Sequence, residues 1–369
     1  MLFGITTVVY LYSAGYRLQK NTLENRLDLT KTGMVGAKSI PEGANVYLDG
    51  ILLGATNDTI SGVEPGVHHL KIVKKGFVPW EKDIEVFNEL VTDITAVLVS
   101  QTPRLEPLTG STAFFPSVSH SLSKLAYFSK DEQNPGIYIV SLSNLGFFKS
   151  DPTLVIADTK YIKYSNGISI EWAPDENSLL IESENKAFYM INTANNSAVT
   201  IANPQKTHEE WQAELKTKRL EFTSKLNLEE KVSKIITENN VMWAPDDKKF
   251  LYSVQNADVI EYKVYNLETP LPVGEKVETT VFSYQAKDAQ PIISWYPDSF
   301  HLIVIEGDVQ ATKKGTISLV RIDGSNKTEI YSNTLHSNKV FSAPGGDKVI
   351  ISTSYRSDDR SDLYTVSIR

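Results

Sequence analysis

Short runs of alternating apolar and polar positions, broken by Gly, Asn, Asp and Pro, cover most of the 369 residues, which is the period-two signature of strands with one buried face. In the C-terminal two-thirds these runs follow a recurring turn: Trp172-Ala173-Pro174-Asp175, Trp243-Ala244-Pro245-Asp246, Trp295-Tyr296-Pro297-Asp298 and the decayed Ser342-Ala343-Pro344-Gly345. An apolar strand follows each turn, at 179–181, 250–254, 302–305 and 349–352, and a second, β-branched and aromatic strand follows at 187–192, 259–267, 315–322 and 362–368. A fifth, earlier copy lacks the signature and places Val118 at the Trp position and Ser121 at the Asp position. Counting from Ser121 to Asp175, Asp246, Asp298 and Gly345 gives spacings of 54, 71, 52 and 47 residues. Each unit reads as a small antiparallel sheet that must stack on its neighbours to bury its apolar face.

The turn has a mechanical explanation. Trp172, Trp243 and Trp295 end a first strand and fill the gap between sheets; Pro174, Pro245, Pro297 and Pro344 fix φ; Asp175, Asp246 and Asp298 accept bonds from N–H groups two residues on. These repeats resemble the TolB-like, WD40-like β-propeller family over roughly residues 101–369, with departures in the first unit and at Gly345-Gly346. Five units are visible. A sixth remains open in 277–286, although Thr279-Thr280-Val281-Phe282-Ser283-Tyr284 reads better as an outer strand. Ring closure requires a strand from the start of the domain, and 103–108 is placed to pair with the C-terminal unit.

The one long spacing has a visible cause. Residues 205–239 turn helical, with Trp211, Leu215, Leu220, Phe222, Leu226, Leu228, Val232, Ile235 and Ile236 set among Glu and Lys. Thr207 and Glu210 have capping-box spacing. Two short helices are expected, either as a lid on a sheet edge or as a docking surface for a partner.

Residues 34–100 alternate strands with Gly turns. Val46, Leu48, Leu70 and Ile72 fall on one face, and Asp49-Gly50 is a two-residue hairpin signal. The segment closely resembles the PEGA domain, a small β-sandwich whose Pro41, Glu42, Gly43 and Ala44 stand intact, followed by Pro65, Gly66 and His68 and then Gly76-Phe77. The resemblance implies an envelope or surface context without enzymatic activity. A hydrogen bond that stabilises its own turn is the expected role of His68, since no second ligand lies at metal spacing.

Residues 2–16 carry no charge and precede Arg17 and Lys20, while 21–33 read as a polar stalk. About 20 apolar residues are needed to cross a bilayer, so residues 1–20 are short for that task. A truncated membrane-anchor helix is the preferred reading, ahead of a cleavable signal sequence lacking a basic n-region and of a buried strand or helix. Arg17, Lys20 and Arg26 would place the C-terminal side in the cytoplasm, whereas the PEGA resemblance places it outside. The latter is followed here.

Composition narrows the function. A net charge of −8 and the lack of a basic patch speak against nucleic acid. With no Cys there are no disulfides, thiolate metal sites, Cys nucleophile or lipidated N-terminal Cys. The chain has no Gly-x-Ser-x-Gly, His-Glu-x-x-His, P-loop or Gly-x-Gly-x-x-Gly. Asp358, Asp359 and Asp362 form the best cation candidate but lack the Ca-loop pattern, and Glu171, Glu182 and Glu184 could supply a glycosidase pair. The expectation is therefore an all-β, non-catalytic envelope protein with no cofactor or metal, which binds a protein partner or cell-wall glycan and meets the membrane through its N-terminus. An enzyme or enzyme subunit acting on envelope polysaccharide or peptide is the alternative.

Overall fold

The computed structural model describes residues 2–13, 15–21, 26–110, 112–143, 151–237, 241–354 and 361–369. The architecture is all-β apart from a few helices, and the chain divides into two compact units. One contains Met1–Thr102, Tyr265–Thr279 and Arg369; the other contains Pro103–Val264 and Thr280–Ile368. Residues 265–279 therefore group with the N-terminal unit, which interrupts the continuous 101–369 domain expected from sequence. Gly274 shows the packing within that unit: a Cβ there would lie 3.3 Å from Thr92 Cγ2.

The N-terminal unit opens with helix α1 (Leu2–Ser13) and a hairpin of β1 (Tyr16–Asn21) and β2 (Arg26–Lys31), in which Tyr16 faces Lys31 and Asn21 faces Arg26. Of the expected stalk at 21–33, Asn21 and Arg26–Lys31 lie in this hairpin. At 12 residues, α1 is about 18 Å long, against a hydrocarbon layer of about 30 Å. No helix among the described residues is long and apolar enough to cross a membrane.

Seven strands build the sandwich: β3 (Gly33–Ile40), β4 (Asn45–Leu48), β5 (Ile51–Ala55), β6 (Asp58–Val63), β7 (Gly66–Val73), β8 (Trp80–Val86) and β9 (Val91–Val97). They form sheets ordered β6-β3-β9 and β5-β4-β7-β8, and β3 runs parallel to β9. Val46 pairs with Ile72 and Leu48 with Leu70, so the period of two delivers all four to one buried layer together with Val35, Trp80, Ile84 and Ile94. Asp49 and Gly50 take φ of 50° and 81°, the mirror-image turn that matches strand twist between β4 and β5.

The second unit starts with β10 (Leu105–Pro107). Its first sheet is β11 (Ala113–Val118), β12 (Lys124–Ser129), β13 (Gly136–Ser141) and β14 (Thr153–Ala157); its second is β15 (Gly167–Trp172), β16 (Ser178–Ser183), β17 (Phe188–Asn192) and β18 (Ser197–Ile201). Helices α2 (Pro204–Thr223) and α3 (Glu230–Thr237) intervene before a third sheet of β19 (Met242–Trp243), β20 (Lys249–Asn256), β21 (Val259–Asn266) and β22 (Glu278–Gln285). The fourth sheet is β23 (Ile292–Trp295), β24 (His301–Glu306), β25 (Lys314–Arg321) and β26 (Thr328–Thr334), with the short α4 (Val309–Thr312) between its second and third strands. The fifth contains β27 (Phe341–Ser342), β28 (Lys348–Thr353) and β29 (Asp362–Ser367), and β10 completes it by pairing Leu105 with Val366. The segment Thr279–Tyr284 thus belongs to the edge strand β22.

Apolar layers lie between consecutive sheets. Phe128, Trp172 and Ile181 join the first and second, Leu251, Trp295 and Val304 the third and fourth, and Leu125, Ile350 and Leu363 the first and fifth. Strands β12, β24 and β28 are buried at nearly every position, because neighbours cover both faces; they read as continuous apolar runs for that reason.

Candidate functional site

The repeat turns share one backbone geometry in all five sheets. Leu122, Glu176, Asp247, Ser299 and Gly346 each have φ between 52° and 63°, and each donates its N–H to the carbonyl three residues earlier, at Ser119, Ala173, Ala244, Tyr296 and Ala343. The first unit keeps this turn although its signature residues are gone. Asp175, Asp246 and Asp298 accept from the N–H of Asn177, Lys248 and Phe300 at 3.0, 2.9 and 2.8 Å. Trp172 donates Nε1–H to the Ser117 carbonyl at 3.0 Å, and Trp295 does so to Met242 at 2.9 Å, each crossing to the first strand of the preceding sheet. Pro174, Pro245, Pro297 and Pro344 occupy the same turns. One copy per sheet spreads these residues through the unit, so they form no common site.

Two copies carry an extra side-chain partner. The Lys249 ammonium, fully buried, meets Asp246 at 2.9 Å, and the nearly buried His301 meets Asp298 at 2.7 Å. Burial works against the charge of Asp298, yet His301 and two backbone N–H groups outweigh it and hold the carboxyl below its ordinary value.

Trp243 departs from its counterparts. It is half-buried, its ring lies 5.4 Å from Phe250, and the Arg219 guanidinium of α2 sits 5.3 Å from its centroid. Arg219 Nε also reaches Asp247 at 3.2 Å, while His208 Nδ1 lies 2.9 and 3.0 Å from the two Glu171 oxygens. Helix α2 is therefore tied to the second sheet at one point and to the third at another. Between α2, α3 and Trp243 lies a cleft of about 620 Å³, lined by His208, Gln212, Lys216, Arg219, Leu220 and Ile236 among others. Thr207, Trp211, Leu215 and Arg219 recur at four-residue steps as the half-buried stripe of α2, whereas Leu220 and most charged residues face solvent.

The start of α2 corrects the expected Thr207/Glu210 capping box. Asn203 caps instead, its carboxamide oxygen accepting the Lys206 N–H at 3.1 Å, with Pro204 at the first helical position. An Asn-Pro pair starts the helix earlier because Pro needs no N–H partner there.

In the sandwich, His68 Nδ1 meets Asp49 at 2.6 Å and Nε2 meets the Glu64 carbonyl at 2.7 Å. Burial of His68 opposes its charged form, but the Asp49 bond and the Glu64 carbonyl raise its pKa above the ordinary histidine value. Asp49 is correspondingly lowered, first by His68 and then by the His69 N–H. The 41–44 segment is held by Thr56, whose hydroxyl accepts the Ala44 N–H at 2.9 Å, and by Lys74, which donates to the Glu42 and Gly43 carbonyls at 2.7 and 3.2 Å. Ala44 is fully buried, and Pro41, Pro65 and Gly66 shape the flanking turns. This network locks two turns together.

Glu171 is engaged by His208, Glu182 lies on β16, and Glu184 sits 3.9 Å from Lys130. Asp358 and Asp359 lie outside the described residues; Asp362 accepts from the Thr112 N–H at 2.8 Å. No group of three or more His, Cys, Asp or Glu that could hold a metal exists among the described residues. Sequence reasoning missed the Tyr127/Tyr138 stack at the junction of the first and fifth sheets, because Tyr127 reads as one more apolar strand residue.

The family model of the PEGA domain matches residues 32–102. The N-terminal sandwich is a PEGA domain. No curated protein matches the chain. Among solved structures, the chain is similar to TolB from Acinetobacter baumannii, with 13% identity, coverage of 81% of this chain and 59% of that one, and a TM-score of 0.27. A putative TolB from Agrobacterium tumefaciens matches with 16% identity, 70% and 80% coverage and a TM-score of 0.25. An oligogalacturonate lyase from Vibrio parahaemolyticus matches with 8% identity, 73% and 95% coverage and a TM-score of 0.33. The chain spans little more than half the length of the Acinetobacter protein. Outside the PEGA domain, the architecture rests on the five sheets and their shared turn.

Proposed function

We propose that the chain is a non-catalytic binding or scaffold protein of the cell envelope, in which the PEGA domain accompanies a five-bladed β-propeller and a protein partner docks on the helical insertion. The carrying observation is the cleft beneath α2: its walls combine the Trp243 ring, the Leu220 side chain and the cations Lys216 and Arg219, and α2 leaves most of its polar face to solvent. Aromatic and Arg side chains at one concave place are the usual anchors of protein interfaces. Insertions into repeat arrays commonly carry the binding face. The five identical turns, together with closure of the last sheet by β10, support a ring of five blades. The PEGA match supports an envelope location. Absence of a recognisable catalytic motif in the sequence supports the non-catalytic reading.

The test is co-sedimentation of the full chain with isolated envelope material, before and after protease treatment of that material. Binding lost on protease treatment, and weakened at least tenfold by Lys216→Glu combined with Leu220→Asp, is the expected result. Binding unaffected by these substitutions would remove the insertion as the docking face. Binding that survives protease would replace the protein partner by a glycan.

A further inference from the structure

A second cleft, of about 560 Å³, opens where the first sheet meets the fifth. Its volume lies within the range of roughly 300–1,000 Å³ typical of small-molecule sites. The side chain of Tyr127 lines it and is itself 0% exposed; the ring stacks on Tyr138 at 5.8 Å, and the phenol oxygen has no hydrogen-bond partner among the described residues. A buried polar group without a partner is uncommon in a folded protein and calls for an explanation.

The rest of the lining supplies one. Asp131, Asp151 and Asp362 contribute carboxylates, and Gln133 and Asn134 contribute amides. Two of the carboxylates are held in place by the fold through one oxygen each. Asp131 Oδ1 accepts the Gln133 and Asn134 N–H groups, both at 2.9 Å, and Asp362 Oδ1 accepts from Thr112 N–H at 2.8 Å and from the Thr109 hydroxyl at 3.3 Å. Among the described residues, their second oxygens meet no protein donor and no Lys, Arg or His lines the cleft.

Elimination by chemistry is direct. An anionic ligand would face three carboxylates without a compensating cation among the described residues. A metal ion lacks converging ligands among the described residues. A bare organic cation brings only donors, so it could neutralise the aspartates but would leave the Tyr127 O–H without an acceptor. A hydroxyl group does both, accepting from Tyr127 and donating to a carboxylate. Several hydroxyls on one apolar ring, which can lie against tyrosine faces, describe a sugar. We propose that this cleft is a binding site for an uncharged saccharide, with Tyr127 as the buried donor and Asp131 and Asp362 as acceptors. Burial, and then the nearby Tyr138, Asp362 and Asp131, push the Tyr127 phenol well above its ordinary pKa, so the O–H remains a donor at any physiological pH.

This proposal is independent of the docking face on α2. Its test is calorimetric titration of the full chain with cellobiose, maltose and N,N′-diacetylchitobiose, with digalacturonate as the anionic probe and putrescine as the cationic one. At least one neutral disaccharide should bind, and digalacturonate should not. Tyr127→Phe should weaken that binding about tenfold, the equivalent of one hydrogen bond, while leaving the thermal midpoint unchanged or raised, since it removes an unpaired buried hydroxyl. The proposal is overturned if none of the three sugars binds at millimolar concentration, if Tyr127→Phe binds as tightly as the parent, or if digalacturonate or putrescine binds at least as tightly as the neutral sugars.

Discussion

The third sheet of the second unit and its neighbours on either side carry the same Trp-x-Pro-Asp signature but use it differently. Trp172 and Trp295 are 3% and 7% exposed and donate to the first strand of the sheet before them. Trp243 ends a first strand of only two residues, remains half-buried and is covered by Arg219 of the insertion. The backbone turn is the same in both settings, with Asp247, like Glu176 and Ser299, at positive φ. A local motif therefore fixes a local turn, and the neighbouring element decides whether the Trp becomes inter-sheet core or a cleft wall.

The sharpest way to break this comparison is truncation of each Trp. Trp172→Ala and Trp295→Ala should each cost about 3–5 kcal/mol of unfolding free energy, as large buried aromatics do, against about 1–2 kcal/mol for Trp243→Ala. Equal costs in urea denaturation would show that the three rings do the same job. The aspartates should divide similarly. Asp298→Ala leaves the nearly buried His301 without its carboxylate and should cost about 2–3 kcal/mol, whereas Asp175→Ala, which loses the Asn177 N–H bond at an exposed turn, should cost about 0.5–1.5 kcal/mol.

The decayed fifth turn sharpens the point further. There the Tyr296 hydroxyl donates to the Gly346 carbonyl, and a Cβ at Gly346, whose φ is +63°, would collide with that hydroxyl. Gly346→Ala should cost about 1–2 kcal/mol, and adding Tyr296→Phe should recover part of it by relieving the clash but not the backbone strain. A double variant no better than the single would mean that strain alone sets the cost. Arg219→Ala should be milder, about 0.5–1 kcal/mol, and should speed proteolysis within 205–239 rather than unfold the sheets.

The smallest effect belongs to the PEGA domain. His68 is raised, so its contribution is fully present below the ordinary histidine pKa and is lost as pH rises through the folded value. Asp49 is lowered, so its contribution is present above the ordinary aspartate pKa and lost as pH falls through its folded value. The pair should stabilise the turn most between those two ordinary values, in mildly acidic solution. His68 ring-proton shifts followed by NMR should titrate above the ordinary histidine value in the parent and move toward it in Asp49→Asn; an unchanged midpoint would dismiss the pair.

Much of this fold could be read from the chain. The repeat spacing announced the sheets, the 71-residue gap announced the insertion, and the Pro103–Leu108 region was placed to close the last sheet, where Leu105–Pro107 now pairs with β29. The capping of α2 was misread because two start signals lie within a few residues, and only backbone geometry distinguishes Asn203 from Thr207. The β1–β2 hairpin was missed because its strands, although Leu27 and Leu29 alternate with polar residues, are rich in charge and read as a polar stalk. Neither cleft was legible: the one beneath α2 depends on how two helices pack on Trp243, and the one at Tyr127 joins segments far apart in sequence.

What the sequence by itself determined is everything that depends on neighbours along the chain: strand periodicity, the Asp49-Gly50 turn, the Trp-x-Pro-Asp turn and the PEGA sandwich that Pro41–Ala44 and Pro65–His68 mark. Tertiary structure alone decided which side chains meet: that Trp243 faces Arg219, that residues 265–279 join the N-terminal unit, and that Tyr127 is buried beside Asp131 and Asp362 with no partner for its hydroxyl among the described residues. The physical reason is range. Backbone preference and side-chain period act over a few residues, whereas burial and the satisfaction of polar groups depend on chain segments brought together from as much as 263 residues apart by the pairing of strands.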